Sequence, residues 1–174
     1  QLRIKGQPEA EARRQIREAL AVAADYDDCQ MIVNDYWREA IREGAAWLHL
    51  GQVDLAGADL VAIRAAGIRL GVSTHSPEEL ANALDARPDY VALGPIYETT
   101  LKKMPWSPQG LARIGEWKAR LACPLVAIGG ITLERAPAVL AAGADSIAVV
   151  SDVLRAPDPD GRARAWLDLF RERA

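Results

Sequence analysis

The chain has 174 residues, 50% hydrophobic and 26% charged, so it can bury a sizeable core within the size range of one compact domain. Aromatic content is 6%, and Ala, Leu, Ile and Val carry the apolar mass, which suits packed helices and buried parallel strands and disfavours an all-β sandwich. A net charge of -3 offers no basic face for a run of phosphates, and no apolar run reaches membrane-spanning length, so neither nucleic acid nor a membrane is the expected partner.

In chain order, strand-length apolar runs fall at 2–5, 29–34, 47–50, 68–73, 90–94, 124–128 and 146–150. Between them, 8–24, 57–66, 77–86, 107–121 and 133–142 space Ala and Leu by three and four, with Pro8, Pro77 and Pro137 near helix starts. Such βα alternation leads to an open doubly wound sheet or a closed (β/α)₈ barrel. Polar and glycine residues follow the strands at Asn34-Asp35, Gly51 to Asp54, Ser73 to His75, Gly94-Pro95, Gly129-Gly130 and Ser151-Asp152. In a barrel these all converge on the catalytic face, whereas an open sheet scatters several of them. The expected fold class is therefore α/β, a TIM (β/α)₈ barrel lacking its first βα unit, with 1–174 as a single domain. Seven strands are predicted and Gln1 stands just before the first, so about 35 to 45 further residues are expected upstream. The segment 95–107 is long for a βα connection and is expected to act as a lid. Cys29 and Cys123 lack CxxC spacing, which predicts buried, reduced thiols and a cytoplasmic setting.

Alternation places Gln1, Arg3 and Lys5 on one side of the first strand and Leu2 and Ile4 on the other. Two cations there suit a diphosphate, and they equally suit a solvated edge strand. Asp35 and Asp54 follow strands at the same end, the arrangement a hard cation such as Mg²⁺ uses, although each is also a good helix cap. Gly129-Gly130 and Val150-Ser151 are either a phosphate-binding pair of turns or ordinary βα turns. His49 reads as a satisfied core histidine and His75 as a hydrogen-bonding support; no nucleophile stands beside either.

Taken together, Gln1-Leu-Arg-Ile-Lys5, Ile32-Val-Asn-Asp-Tyr-Trp37, Leu48-His-Leu-Gly-Gln-Val-Asp54, Gly71-Val-Ser-Thr-His75, Leu93-Gly-Pro-Ile-Tyr97, Pro108-Gln-Gly110, Ala127-Ile-Gly-Gly-Ile131 and Ala148-Val-Val-Ser151 resemble the thiamine phosphate synthase family, in that family's order. The resemblance implies a TIM barrel enzyme, a transferase that joins a pyrimidine methyl diphosphate to a thiazole phosphate and releases pyrophosphate. It implies that Gln1, Arg3, Lys5, Asn34, Ser73 and Lys102 hold the pyrimidine diphosphate, with Arg3, Lys5, Ser73 and Lys102 catalytic. It further implies that Asp35 and Asp54 hold Mg²⁺, and that Thr99, Thr100, Leu101, Gly130, Val150 and Ser151 hold the thiazole phosphate. Leu101 replaces a common threonine, and Val53 replaces a common glutamate beside Asp54. Two alternatives are a thiazole tautomerase, which shares the barrel and shifts a proton, and a non-catalytic barrel that binds a phosphorylated ligand. Retention of Arg3, Lys5, Asn34, Asp35, Asp54 and Lys102 favours the synthase.

Overall fold

The computed structural model describes residues 1–99 and 106–171. The chain divides into two compact units, Gln1–Val91 and Ala92–Ala174. Among the described residues six parallel strands make the fold α/β, and they stand in the sheet in chain order.

The first unit opens with an extended segment in which Leu2 alone bridges, in parallel, to Val33. Helix α1 (Glu9–Ala23) follows Pro8, whose locked φ suits a helix entry, and buries Ala12 and Ile16. Then come β1 (Ile32–Asn34), α2 (Trp37–Arg42), β2 (Trp47–Leu50), α3 (Gln52–Ala56), α4 (Leu60–Ala65), β3 (Arg69–Thr74) and α5 (Pro77–Asp85). Two helices of that run are capped at their N-termini by their own sequence: Asp59, before α4, accepts from the Ala62 N–H, and Ser76, before α5, accepts from the Glu79 N–H with Pro77 in the first turn. Register pairs Val33 with Leu48 and Leu48 with Leu70, which lines up one apolar row across the three strands. Ile16, Val33, Leu48, Leu50, Ile63 and Val72 are buried in one core, each contributing about 1.5–3 kcal/mol relative to exposure.

Strand β4 (Tyr90–Leu93) carries the chain into the second unit, which holds α6 (Gly110–Lys118), β5 (Leu125–Ile128), α7 (Ala136–Ala141), β6 (Ser146–Ala148), α8 (Ser151–Leu154) and α9 (Pro159–Arg171). Ile114, Trp117, Leu125, Ala127, Val139 and Trp166 are buried there. Asp152 ties α8 to α9, accepting from Arg162 at 2.9 Å and from the Trp166 indole N–H at 2.7 Å. A repeated device begins the strands: Asp89 accepts from the Leu70 N–H and Asp145 from the Leu125 N–H, both at 2.7 Å. Each carboxylate thus satisfies a backbone donor at a strand entry.

Three expectations need correction. The first predicted strand, 2–5, is a single bridge because only Leu2 exchanges backbone hydrogen bonds, with Ile32 and Asn34, before Gly6 turns the chain at φ 63°. The described residues therefore form six strands where seven were predicted. Cys29 is exposed and Cys123 half-buried, since β1 begins only at Ile32 and Cys29 lies in the loop before it. No described helix is long and apolar enough to cross a membrane.

Candidate active site

In the first unit the predicted polar residues gather at the carboxyl ends of β1, β2 and β3. Gln1, Arg3 and Lys5 are exposed while Leu2 and Ile4 are half-buried, so the alternation read from the sequence holds even though the strand does not. Asn34 ends β1, is 6% exposed, and its side-chain oxygen accepts from the Gln1 amide at 2.7 Å. Asp35 follows in the left-handed region, φ 68°, a conformation that asparagine and aspartate tolerate better than other side chains. Its N–H donates to the His49 carbonyl at 2.9 Å, and its carboxylate forms an ion pair with Lys5. Neither aspartate is a helix cap, because Tyr36 and Gly51 occupy the cap positions and Asp54 lies within the first turn of α3.

Desolvation and the neighbouring Asp35 carboxylate push Asp54 above the usual carboxylate range, with Lys5 opposing. Two like charges held together are what a divalent cation relieves. The donor set fits Mg²⁺: two carboxylate oxygens are available, and no group of three His, Cys, Asp or Glu exists among the described residues, so substrate oxygens and water would complete the shell.

Ser73, near the end of β3, lies 2.7 Å from His49 Nε2, and its carbonyl accepts from the Gln52 side chain at 2.7 Å. His49 is 6% exposed, with its other ring nitrogen 2.8 Å from the Tyr90 hydroxyl, so it is the satisfied core histidine expected. Burial pushes its pKa down to about 4 against the pull of Asp35, and burial pushes the Tyr90 phenol up. His75 pairs through Nδ1 with Glu79 at 2.7 Å, a supporting contact. Sequence reading missed Tyr90, whose only sequence signal is a tyrosine at the head of a buried apolar run.

In the second unit, Gly129 and Gly130 turn the chain after β5 with φ 98° and 65°. Their packing alone demands glycine. A Cβ at Gly129 would stand 2.7 Å from Pro95, and one at Gly130 would stand 2.3 Å from the Glu98 carbonyl oxygen. Arg135 braces this turn by donating to the Gly130 carbonyl at 2.6 Å while its guanidinium lies over the Tyr97 ring. Beside it, Tyr97, Glu98, Thr99, Trp106 and Arg135 line an open cleft of ≈ 780 Å³. Val150 is exposed and Ser151 opens α8. Thr100, Leu101 and Lys102 lie outside the described residues, as does the rest of 100–105 within the expected lid.

These features define a parallel α/β protein whose strand ends carry clustered carboxylates, cations, amides and a hydroxyl, a combination suited to phosphorylated small molecules. Residues 1–153 match the family model described as thiamine monophosphate synthase. The thiamine-phosphate synthase of Rhizobium etli is 60% identical over 168 residues, covering 96% of this chain and 82% of the relative. That of Cronobacter sakazakii is 51% identical over 170 residues, covering 97% and 80%. A thiamine phosphate pyrophosphorylase structure from Pyrococcus furiosus superposes with a TM-score of 0.84 at 28% identity, covering 97% of this chain and 80% of that one. The chain belongs to the thiamine monophosphate synthase family.

Proposed function

We propose that this enzyme couples 4-amino-2-methyl-5-pyrimidinylmethyl diphosphate to a thiazole phosphate, forming thiamine phosphate and releasing pyrophosphate. The observation that carries the reading is the Asp35–Asp54 pair with Lys5 against it, beside Asn34 and Gln1, in a chain of this family. In this reading the methylene–oxygen bond of the diphosphate breaks first, the oxygen keeping both electrons. The thiazole nitrogen then donates its lone pair to the resulting pyrimidine cation.

Stabilising the leaving charge is the main task. Asp35 and Asp54 would hold Mg²⁺, which when bound neutralises diphosphate oxygens. Arg3 and Lys5, with Lys102 by the family resemblance, supply positive charge to the departing diphosphate, and Gln1, Asn34 and the Ser73 hydroxyl orient it. Thr99, Thr100, Leu101, Gly130, Val150 and Ser151 would hold the thiazole phosphate, with no side-chain hydroxyl at Leu101. The family resemblance supports a single barrel-type domain over 1–174, and phosphorylated substrates that do not cross membranes support a cytoplasmic location.

Release of pyrophosphate from the two substrates with Mg²⁺ tests the reading. Release that requires both substrates and the metal is the expected result; none from the folded protein would overturn it. Lys102→Ala should cost far more turnover than Lys103→Ala, because only Lys102 matches the family's diphosphate position and closes a water-excluding lid in this reading. Equal losses would reduce the lid to a general electrostatic contribution.

A further inference from the structure

We propose that Tyr90 and His49 form a hydrogen-bond relay that fixes the Ser73 hydroxyl as a donor toward the diphosphate, which makes both of them positioning residues. The inference rests on the reading above, in which Ser73 meets the diphosphate.

Three strands contribute one residue each. His49 on β2 has Nδ1 2.8 Å from the Tyr90 hydroxyl and Nε2 2.7 Å from Ser73 Oγ, and both rings are buried. A neutral imidazole carries one N–H and one lone pair, so only two arrangements satisfy both contacts. In the first, the Tyr90 O–H donates to Nδ1, Nε2–H donates to Ser73 Oγ, and the Ser73 proton stays available for an anion. In the second, Nδ1–H donates to Tyr90 and Nε2 takes the Ser73 proton, leaving Ser73 with only lone pairs to face diphosphate oxygens.

Tyr90 decides between them. Its hydroxyl is buried, and among the described residues His49 is its one hydrogen-bond partner. The second arrangement therefore strands the phenol proton without an acceptor in a buried place, which is costly, while the first satisfies every group. The seat for Tyr90 is built for it: Gly71 is the register partner of His49, and a Cβ on Gly71 would stand 2.0 Å from the Tyr90 ring and 2.5 Å from its oxygen. The rings of His49 and Tyr90 lie stacked with centroids 5.6 Å apart, which fixes the hydroxyl against Nδ1. The relay moves no proton; it sets the direction of three.

The test combines kinetics with ¹⁵N NMR of histidine-labelled protein, where His49 and His75 are the only two histidines. Tyr90→Phe is expected to lower kcat/KM for the pyrimidine diphosphate by about 5–10-fold, with KM rising, the worth of one hydrogen bond. In a Ser73→Ala background the same change is expected to do almost nothing further, within about twofold, because Tyr90 acts through Ser73. Wild-type His49 is expected to carry its proton on Nε2, and Tyr90→Phe to lose that single tautomer. A loss from Tyr90→Phe that is equal in both backgrounds, or an Nδ1–H tautomer in the wild type, overturns the relay. If Ser73→Ala is itself silent, the placement of Ser73 on the diphosphate fails and the relay's purpose fails with it. If no pyrophosphate is released at all, the proposed reaction fails, and the tautomer still reads the relay independently.

Discussion

Asp35→Asn is expected to lower turnover at limiting Mg²⁺ by about 100-fold or more while the protein stays folded. Losing one of two protein carboxylates removes several kcal/mol of charge stabilisation from the departing diphosphate, and each 1.36 kcal/mol is about tenfold in rate. Asparagine is the right probe because residue 35 sits at φ 68°, which asparagine adopts readily. Asp35→Ala should show the same catalytic loss plus about 1 kcal/mol of instability, since alanine resists that backbone. With the Asp35 charge gone, the Asp54 carboxyl should fall back toward its ordinary range, because part of its upward shift comes from that neighbour. Titrating turnover against Mg²⁺ decides the matter: unchanged activity and an unchanged metal dependence would reject the carboxylate pair as the metal site.

Gly71→Ala should be the most damaging single methyl in the first unit. The new carbon would sit 2.0 Å from Tyr90 Cζ and 2.2 Å from Cε1, against a ring that is itself buried. Overpacking of this kind costs about 1–3 kcal/mol, and at about 2–4 °C per kcal/mol for a chain of this size Tm should fall by about 2–12 °C. Displacing the ring also removes the partner of His49 Nδ1. Trimming the ring with Tyr90→Leu in the Gly71→Ala protein should recover part of the lost Tm, since the two changes share one space. A Gly71→Ala protein that melts with the wild type would show that Tyr90 has another place to go.

What the sequence by itself determined is what depends on local period and local chemistry. Alternation assigned Gln1, Arg3 and Lys5 to one side of their segment, proline marked the starts of α1, α5 and α7, and aspartates after strands pointed to a charged site at the strand ends. Tertiary structure decided whatever depends on which residue lies opposite which. A period of two says which face a strand residue takes and nothing about its partner on the next strand. Hence the pairing of Lys5 with Asp35 across 30 positions, and of His49 with Tyr90 across 41, was not legible. The same holds for the first predicted strand, whose pattern was right and whose pairing stopped at Leu2. The Gly129-Gly130 pair shows the limit most plainly: a phosphate-binding turn and a tightly packed turn require the same glycines, and only the approach of Pro95 and Glu98 shows that packing alone already demands them.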